Sequence, residues 1–424
     1  MLSIDYITNS KDDAIIGLKK RGFKNLDVLD SIIELNNNRK KIQQELDNIL
    51  FKSNTISKEI AEAFKSGNND IDIDSLKSES SNLKLQSKSL AEELDTVKIK
   101  ISDLITTVPN IPDSKVPDGL SEENNIEVFR SSNFKESGYN LKNHWDLSKE
   151  YDIIDFELGS KITGSGFPVY KGKGAKLQRA LINFFLDRNS SAGYNEFQVP
   201  HLVNSDSAYA TGQLPDKDGQ MYHVINDDFY LIPTAEVPLT NIYRDKILAV
   251  DQLPIMMTGY TPCFRREAGS YGADVRGLNR LHQFDKVEIV RIEHPDKSDD
   301  ALIKMKEHIK EILTELKIDF RILNLCAGDL GFTSSITYDF EVFSKGQEKW
   351  LEISSVSNFK TYQSNRLNLK FKDKDGKNYT LHTLNGSSLA LPRVMAGLIE
   401  NNQSENGIII PDVLVPYTGF DIIN

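Results

Sequence analysis

The residue types best suited to chemistry lie between Thr258 and Arg291. Phe264-Arg265-Arg266-Glu267 sets two guanidinium groups beside a carboxylate, and Phe284 and Glu288 follow four residues apart, on one face of any strand that carries them. Arginine grips carboxylates and phosphates with a planar pair of donors, and an aromatic ring offers a face to a nucleobase. Together they suit a nucleoside triphosphate and a small amine-bearing acid. The residues on either side, Thr258–Arg265 and Leu281–Arg291, are rich in Tyr, Phe, Val and Ile and read as strands. Between them lies a charged loop with Gly269, Gly272, Gly277, Arg276 and Arg280, so the stretch reads as a long antiparallel hairpin with cations at its base and on its loop.

Three further groups add to this set. Thr234-Ala235-Glu236 follows a short strand at Phe229–Ile232; its carboxylate could bind an ammonium or cap a helix over Val237–Arg244. Glu352-Ile353-Ser354-Ser355 closes a strand that begins at Lys349. A carboxylate and a hydroxyl can hold Mg²⁺ together with phosphate oxygens, although polar strand ends are common. Asn385-Gly386-Ser387-Ser388, ending in Arg393, leads into a helix over Val394–Asn402. Gly164-Ser165-Gly166 and Gly172-Lys173-Gly174 do not have the spacing of a phosphate-binding P-loop.

The elements that position these groups begin with a heptad pattern. Over residues 26–106, Ile32, Leu35, Arg39, Ile42, Leu46, Ile49, Ser53, Ile56, Ile60 and Ala63 step by three and four, and Gly67-Asn68-Asn69-Asp70 breaks the run. A second seam runs through Leu76, Ser80, Leu83, Ser87, Leu90, Leu94, Val97, Ile101 and Leu104. Two seams of similar length around a short break predict an antiparallel helical hairpin, an architecture that by itself serves equally as a spacer or an oligomerisation element. The hairpin carries more acidic than basic residues, with Arg39-Lys40-Lys41 its tight basic cluster, and the whole chain has a formal charge of −11, so charge does not announce a nucleic-acid surface. Pro109, Pro112 and Pro117 mark residues 107–125 as a linker, with a second domain beginning near Ile126. Cys263 and Cys326 are the two cysteines, which fits a reducing compartment and offers no zinc spacing. The first residues lack the apolar core of a signal peptide, and no apolar run approaches the ~20 residues of a membrane helix.

In this order, the heptad hairpin, Thr-Ala-Glu, FRREAGSYGADVRGLNRLHQFDKVEIV, EISS and NGSSLALPR resemble the seryl-tRNA synthetase family of class II aminoacyl-tRNA synthetases, over essentially the whole chain. The resemblance implies an α+β protein with an N-terminal antiparallel coiled-coil hairpin, in a tRNA-binding domain of residues 1–106. The class II catalytic domain of residues 126–424 would be an antiparallel sheet flanked by helices. It implies ligation of L-serine to serine tRNA through a seryl-adenylate, with ATP and Mg²⁺. Selenocysteine tRNA is a second substrate in the family, and the family pattern is a cytoplasmic homodimer away from membranes. A ligase loading an amino acid onto a carrier protein is the alternative.

The resemblance also implies roles. Arg265 bridges the serine carboxylate and the α-phosphate, with Arg393 the second catalytic residue, covering the adenine or reaching the γ-phosphate. Thr234, Ala235 and Glu236 hold the serine amine, while Glu288 and Ser387 read its hydroxyl. Glu267 holds the adenine amino group, with Arg266 beside it; Phe284 stacks on the base and Leu281 borders it. Arg280, with Arg276 as a second candidate, meets the outer phosphates. Glu352, Ile353, Ser354 and Ser355 complete the ATP site, with Glu352 and Ser355 on the metal. Pro392 departs from the family pattern just before Arg393 and would move the helix start.

Overall fold

A computed structural model describes residues 1–66, 72–131, 140–267 and 276–424. The chain forms two compact units, one of residues 2–19 and 23–109, the other of Met1, residues 20–22 and residues 110–424.

In the smaller unit, helices Val28–Ser66 and Ile73–Ile105 form the hairpin. At 1.5 Å per residue they run roughly 58 and 50 Å. Their direction follows from the packing: Ile42 and Leu46, early in the first helix, pack on Leu94, Val97 and Ile101, late in the second. Burying each such side chain contributes about 1.5–3 kcal/mol. Asp72 caps the second helix, its carboxylate accepting from the Ser75 amide at 3.0 Å. The break itself, residues 67–71, lies outside the described residues. One seam position differs from the heptad reading: Asn36 is buried, and its side chain accepts from the half-buried Arg39 at 3.0 Å. An aliphatic count passes over an asparagine, yet the stripe that a globular helix buries is wider than a strict heptad seam.

The larger unit is built on an eight-stranded sheet. In chain order its strands are β1 (Ile126–Arg130), β2 (Asn195–Glu196), β3 (Ile255–Phe264), β4 (Gln283–Glu293), β5 (Phe320–Asn324), β6 (Ile336–Ser344), β7 (Lys349–Lys360) and β8 (His382–Ala390). Across the sheet they run β1-β5-β6-β7-β8-β4-β3-β2, antiparallel throughout except for the short parallel edge β2. Alternation sorts the two faces. Phe320, Ile322, Phe340 and Val342 join a core with residues of helices Gly172–Ser191, Ser298–Glu315 and Leu391–Asn401. The intervening residues Arg321, Thr337, Asp339 and Glu341 turn to the other face and line a cavity of about 770 Å³. Strand β7 runs on through EISS to Lys360 instead of ending there.

Of the proline-bearing stretch 107–125, residues from Asn110 onward belong to the larger unit. The Asn110 amide donates to the Phe332 carbonyl at 3.0 Å, and its side chain donates to those of Thr333 and Phe359 at 2.9 Å. Pro392 falls in the first turn of helix Leu391–Asn401, where the missing N–H costs nothing, so Arg393 stands in that turn.

Candidate active site

Strands β3 and β4 pair as the predicted hairpin, with Phe284 opposite Cys263 and Glu288 opposite Gly259. Residues 268–275 of its loop, with Gly269 and Gly272, lie outside the described residues. Glu288 is fully buried at the middle of β4. Its Oε1 accepts from the Thr234 hydroxyl at 2.7 Å and from Ser387, its register partner on β8, at 3.4 Å. Lys286 is ion-paired to the same oxygen, and the Asn385 amide donates to Oε2 at 2.8 Å. Glu236, at the start of helix Glu236–Asn241, is also buried; its Oε1 accepts from Gln363 at 2.7 Å, whose own Oε1 accepts from Thr383 at 2.7 Å. Burial pushes the Glu236 carboxyl up to about 7, and the charge of Glu288 adds to this against the Gln363 hydrogen bond and the cations Lys286 and Arg265. Lys286 already neutralises Glu288, so the buried Glu236 carboxylate, which lines the cavity, is the group suited to receive a cation.

At the hairpin base the Arg265 guanidinium lies 5.4 Å from the centre of the Phe284 ring. Its backbone is clamped: the Arg265 amide donates to the His282 carbonyl at 2.9 Å, and His282 Nδ1 lies 3.1 Å from the Arg265 carbonyl. The His282 ring stacks on Phe167 and meets the Tyr222 hydroxyl at 3.0 Å. Arg266 is exposed, its amide bound to the Gln220 carbonyl at 2.9 Å. Glu267 and Arg280, assigned to different ends of ATP, are paired with each other at 2.9 Å. Arg276 lies over the Trp145 ring at 4.6 Å, and the Leu281 side chain is in the core.

Glu352 and Ser355 are three residues apart, so a regular strand would point them to opposite faces. The β6–β7 register resolves this: Glu341 pairs with Glu352 and Phe340 with Ser354, leaving Ile353 as an extra, bulged residue. The parity of cavity-lining residues switches there, from Trp350 and Glu352 to Ser355 and Ser357. Ile353 is thereby directed into the core, and Ser354 is buried with its hydroxyl on the Ser387 carbonyl. The Ser355 hydroxyl donates to Asp339 at 2.5 Å. Burial, then the charge of Glu352, raises the Asp339 carboxyl well above its ordinary range, with the Ser355 hydrogen bond opposing. Oxygen donors around a carboxyl that resists ionising alone fit a hard divalent cation such as Mg²⁺, which would remove that penalty. Arg393 reaches the same edge, its Nη1 donating to the Glu352 carbonyl at 2.7 Å.

Glu236, Asn385, Asp339, Glu352 and Ser355 all line the one cavity, and Thr234, Glu288 and Ser387 are hydrogen-bonded at its Glu236–Asn385 end. Ala235, between Thr234 and Glu236, is buried in a separate apolar cluster. Sequence patterns gave no role to Lys286, Gln363, Asn385 or Asp339, although Asn385 opens the motif that ends in Arg393. Lys286 and Asn385 sit two residues from Glu288 and Ser387 on their strands, a spacing that puts them on the same face; Gln363 and Asp339 carried no such signal.

The family described as the tRNA synthetase class II core domain (G, H, P, S and T) matches residues 222–402, and the seryl-tRNA synthetase N-terminal domain family matches residues 1–112. A serine–tRNA ligase of Salinibacter ruber is 44% identical over 99% of this chain and 98% of its own, and one of Thermodesulfovibrio yellowstonii is 42% identical over the full length of both. The crystal structure of seryl-tRNA synthetase from Pyrococcus horikoshii complexed with ATP has a TM-score of 0.89 and 32% identity, covering 100% of this chain and 99% of that one. The larger unit thus has the class II synthetase core. The chain belongs to the seryl-tRNA synthetase family.

Proposed function

We propose that the chain ligates L-serine to serine tRNA in two steps. In the first, a serine carboxylate oxygen attacks the α-phosphorus of ATP, the bond to the β-phosphate breaks, and pyrophosphate leaves. In the second, a ribose hydroxyl of the tRNA 3′-terminal adenosine attacks the seryl carbonyl and AMP leaves. The attacking carboxylate is already a nucleophile, so the work of the protein is positioning and charge stabilisation.

The observation that carries this reading is one cavity lined by the buried Glu236, by Asn385, which donates to the buried Glu288, and by Asp339, Glu352 and Ser355, with Arg393 donating to the Glu352 carbonyl. Glu236 and Thr234 take the serine ammonium, while Glu288 and Ser387 meet its hydroxyl. Glycine or alanine would leave that polar set unpaired, which discriminates strongly. Arg265 draws the serine carboxylate to the α-phosphate, Phe284 carries the adenine, and Arg393 meets base or phosphate. Glu267 and Arg280 exchange their mutual pair for the adenine amino group and the outer phosphates. Mg²⁺ would be held by Glu352 and Ser355, with Asp339 behind Ser355, and would neutralise phosphate charge. The N-terminal domain of residues 1–106, with its helical hairpin over residues 26–106, receives the tRNA, residues 126–424 carry the chemistry, and the chain works as a cytoplasmic homodimer. Selenocysteine tRNA is a further substrate to test.

ATP–pyrophosphate exchange with each of the twenty amino acids, followed by tRNA charging with the active one, tests the reading. Exchange with serine and transfer to serine tRNA are the expected results. Exchange with glycine or alanine would refute the pocket assignment, and exchange without tRNA transfer would favour a carrier-protein acceptor.

A further inference from the structure

A buried imidazole that the chemistry does not use supports both Arg393 and the end of the hairpin loop. His144 opens helix His144–Glu150 and is wholly buried. Its Nε2 accepts from the Leu278 amide at 2.8 Å. An accepting nitrogen carries no proton, so the ring proton is on Nδ1, which lies 2.7 Å from Glu400 Oε1. Glu400 sits on the helix that carries Arg393. Its carboxylate also accepts from the His144 amide at 2.9 Å, Gln347 Nε2 at 3.0 Å, the Gly346 amide at 3.2 Å and the Ser344 hydroxyl. So many donors require an ionised acceptor.

A second route runs beside the first. Gln347 Oε1 accepts from Asn279 Nδ2 at 2.8 Å, so side chain and backbone at 278–279 both trace back to Glu400. The Asn279 carbonyl in turn accepts from Arg393 Nε at 2.9 Å, while Arg393 Nη1 reaches the Glu352 carbonyl. Gly277 makes the approach possible: its φ is +67°, and a Cβ there would meet His144 Nε2 at 2.1 Å.

We propose that His144, paired with Glu400, is a positioning residue for ATP: a neutral imidazole that suspends Leu278–Arg280 where the Asn279 carbonyl aims the Arg393 guanidinium. This rests on the reading above that Arg280 and Arg393 meet ATP. The serine pocket shares none of these hydrogen bonds, so the effect is selective for the nucleotide.

The test uses the full chain with His144→Ala, His144→Gln and Gly277→Ala. KM for ATP and for serine are measured in serine-dependent exchange, and binding of a non-hydrolysable ATP analogue is measured by titration calorimetry. H144A raises KM for ATP roughly tenfold, about the effect of one lost hydrogen bond, with KM for serine within about twofold. H144Q recovers part of the loss because its amide oxygen can accept from Leu278, and G277A reproduces the ATP-selective defect. Normal ATP affinity in H144A, or a parallel rise of both KM values, overturns the proposal. If H144A does not fold, normal ATP affinity in G277A does so. Absence of serine exchange in the unaltered protein would instead refute the proposed function, while analogue binding still reports on the His144 support.

Discussion

Lowering the pH from 8 to 6 is the perturbation that reads the buried Glu236 most directly. Its carboxyl titrates at about 7 in the free protein because burial and the nearby Glu288 oppose ionisation. It is therefore about nine-tenths ionised at pH 8 and about one-tenth at pH 6. If the serine ammonium pairs with the ionised form, the apparent dissociation constant rises roughly tenfold between those values, and binding at pH 7 releases roughly half a proton. Titration calorimetry in two buffers of different ionisation enthalpy measures both quantities. Glu236→Gln should weaken serine binding and flatten the pH dependence. The same shift acts on folding. The folded-state value lies above the ordinary 4.5, so the native protein binds more protons than the unfolded chain between about 4.5 and 7. Stability contributed by this group is present at acid pH and is lost as pH rises through that window, by on the order of 3 kcal/mol. Serine-free E236Q should accordingly melt above the unaltered protein at pH 8. A serine affinity that is flat from pH 6 to 8, or a slope that survives in E236Q, would refute the placement of the ammonium at Glu236.

Arg265→Ala should lower serine-dependent exchange by roughly a hundredfold or more, the scale for removing a donor aimed at developing charge; near-normal exchange would remove the carboxylate–phosphate bridge. Glu352→Gln should raise the Mg²⁺ concentration for half-maximal exchange by roughly tenfold, a factor equal to about 1.4 kcal/mol, and an unchanged Mg²⁺ curve would move the metal elsewhere. Deleting Leu35–Ile101 and closing the gap with a short linker should spare exchange and abolish tRNA charging. Efficient charging by the shortened chain would make the hairpin a spacer.

By itself the sequence determined those parts whose signal is local and periodic. The two hairpin helices followed from three- and four-residue spacing, and the β3–β4 pair followed from runs of β-formers around a glycine-rich loop, because a helix or strand must place one stripe against a partner. It also determined the family, since ordered motifs keep residue types wherever the chain must meet the same chemistry. What the spacing could not supply was how distant strands meet. Glu352 and Ser355 point the same way only because Ile353 is bulged against β6, and the register of two strands is invisible in either one alone. Asp339 and Gln363 reach the site across that sheet and from a separate helix, and nothing in their neighbours predicts it. Glu267 and Arg280 bind each other across the hairpin, a pairing set by distances between charges that are thirteen residues apart. The raised carboxyl of Glu236 is likewise tertiary: desolvation depends on what surrounds the side chain, and the surroundings come from three separate stretches of chain.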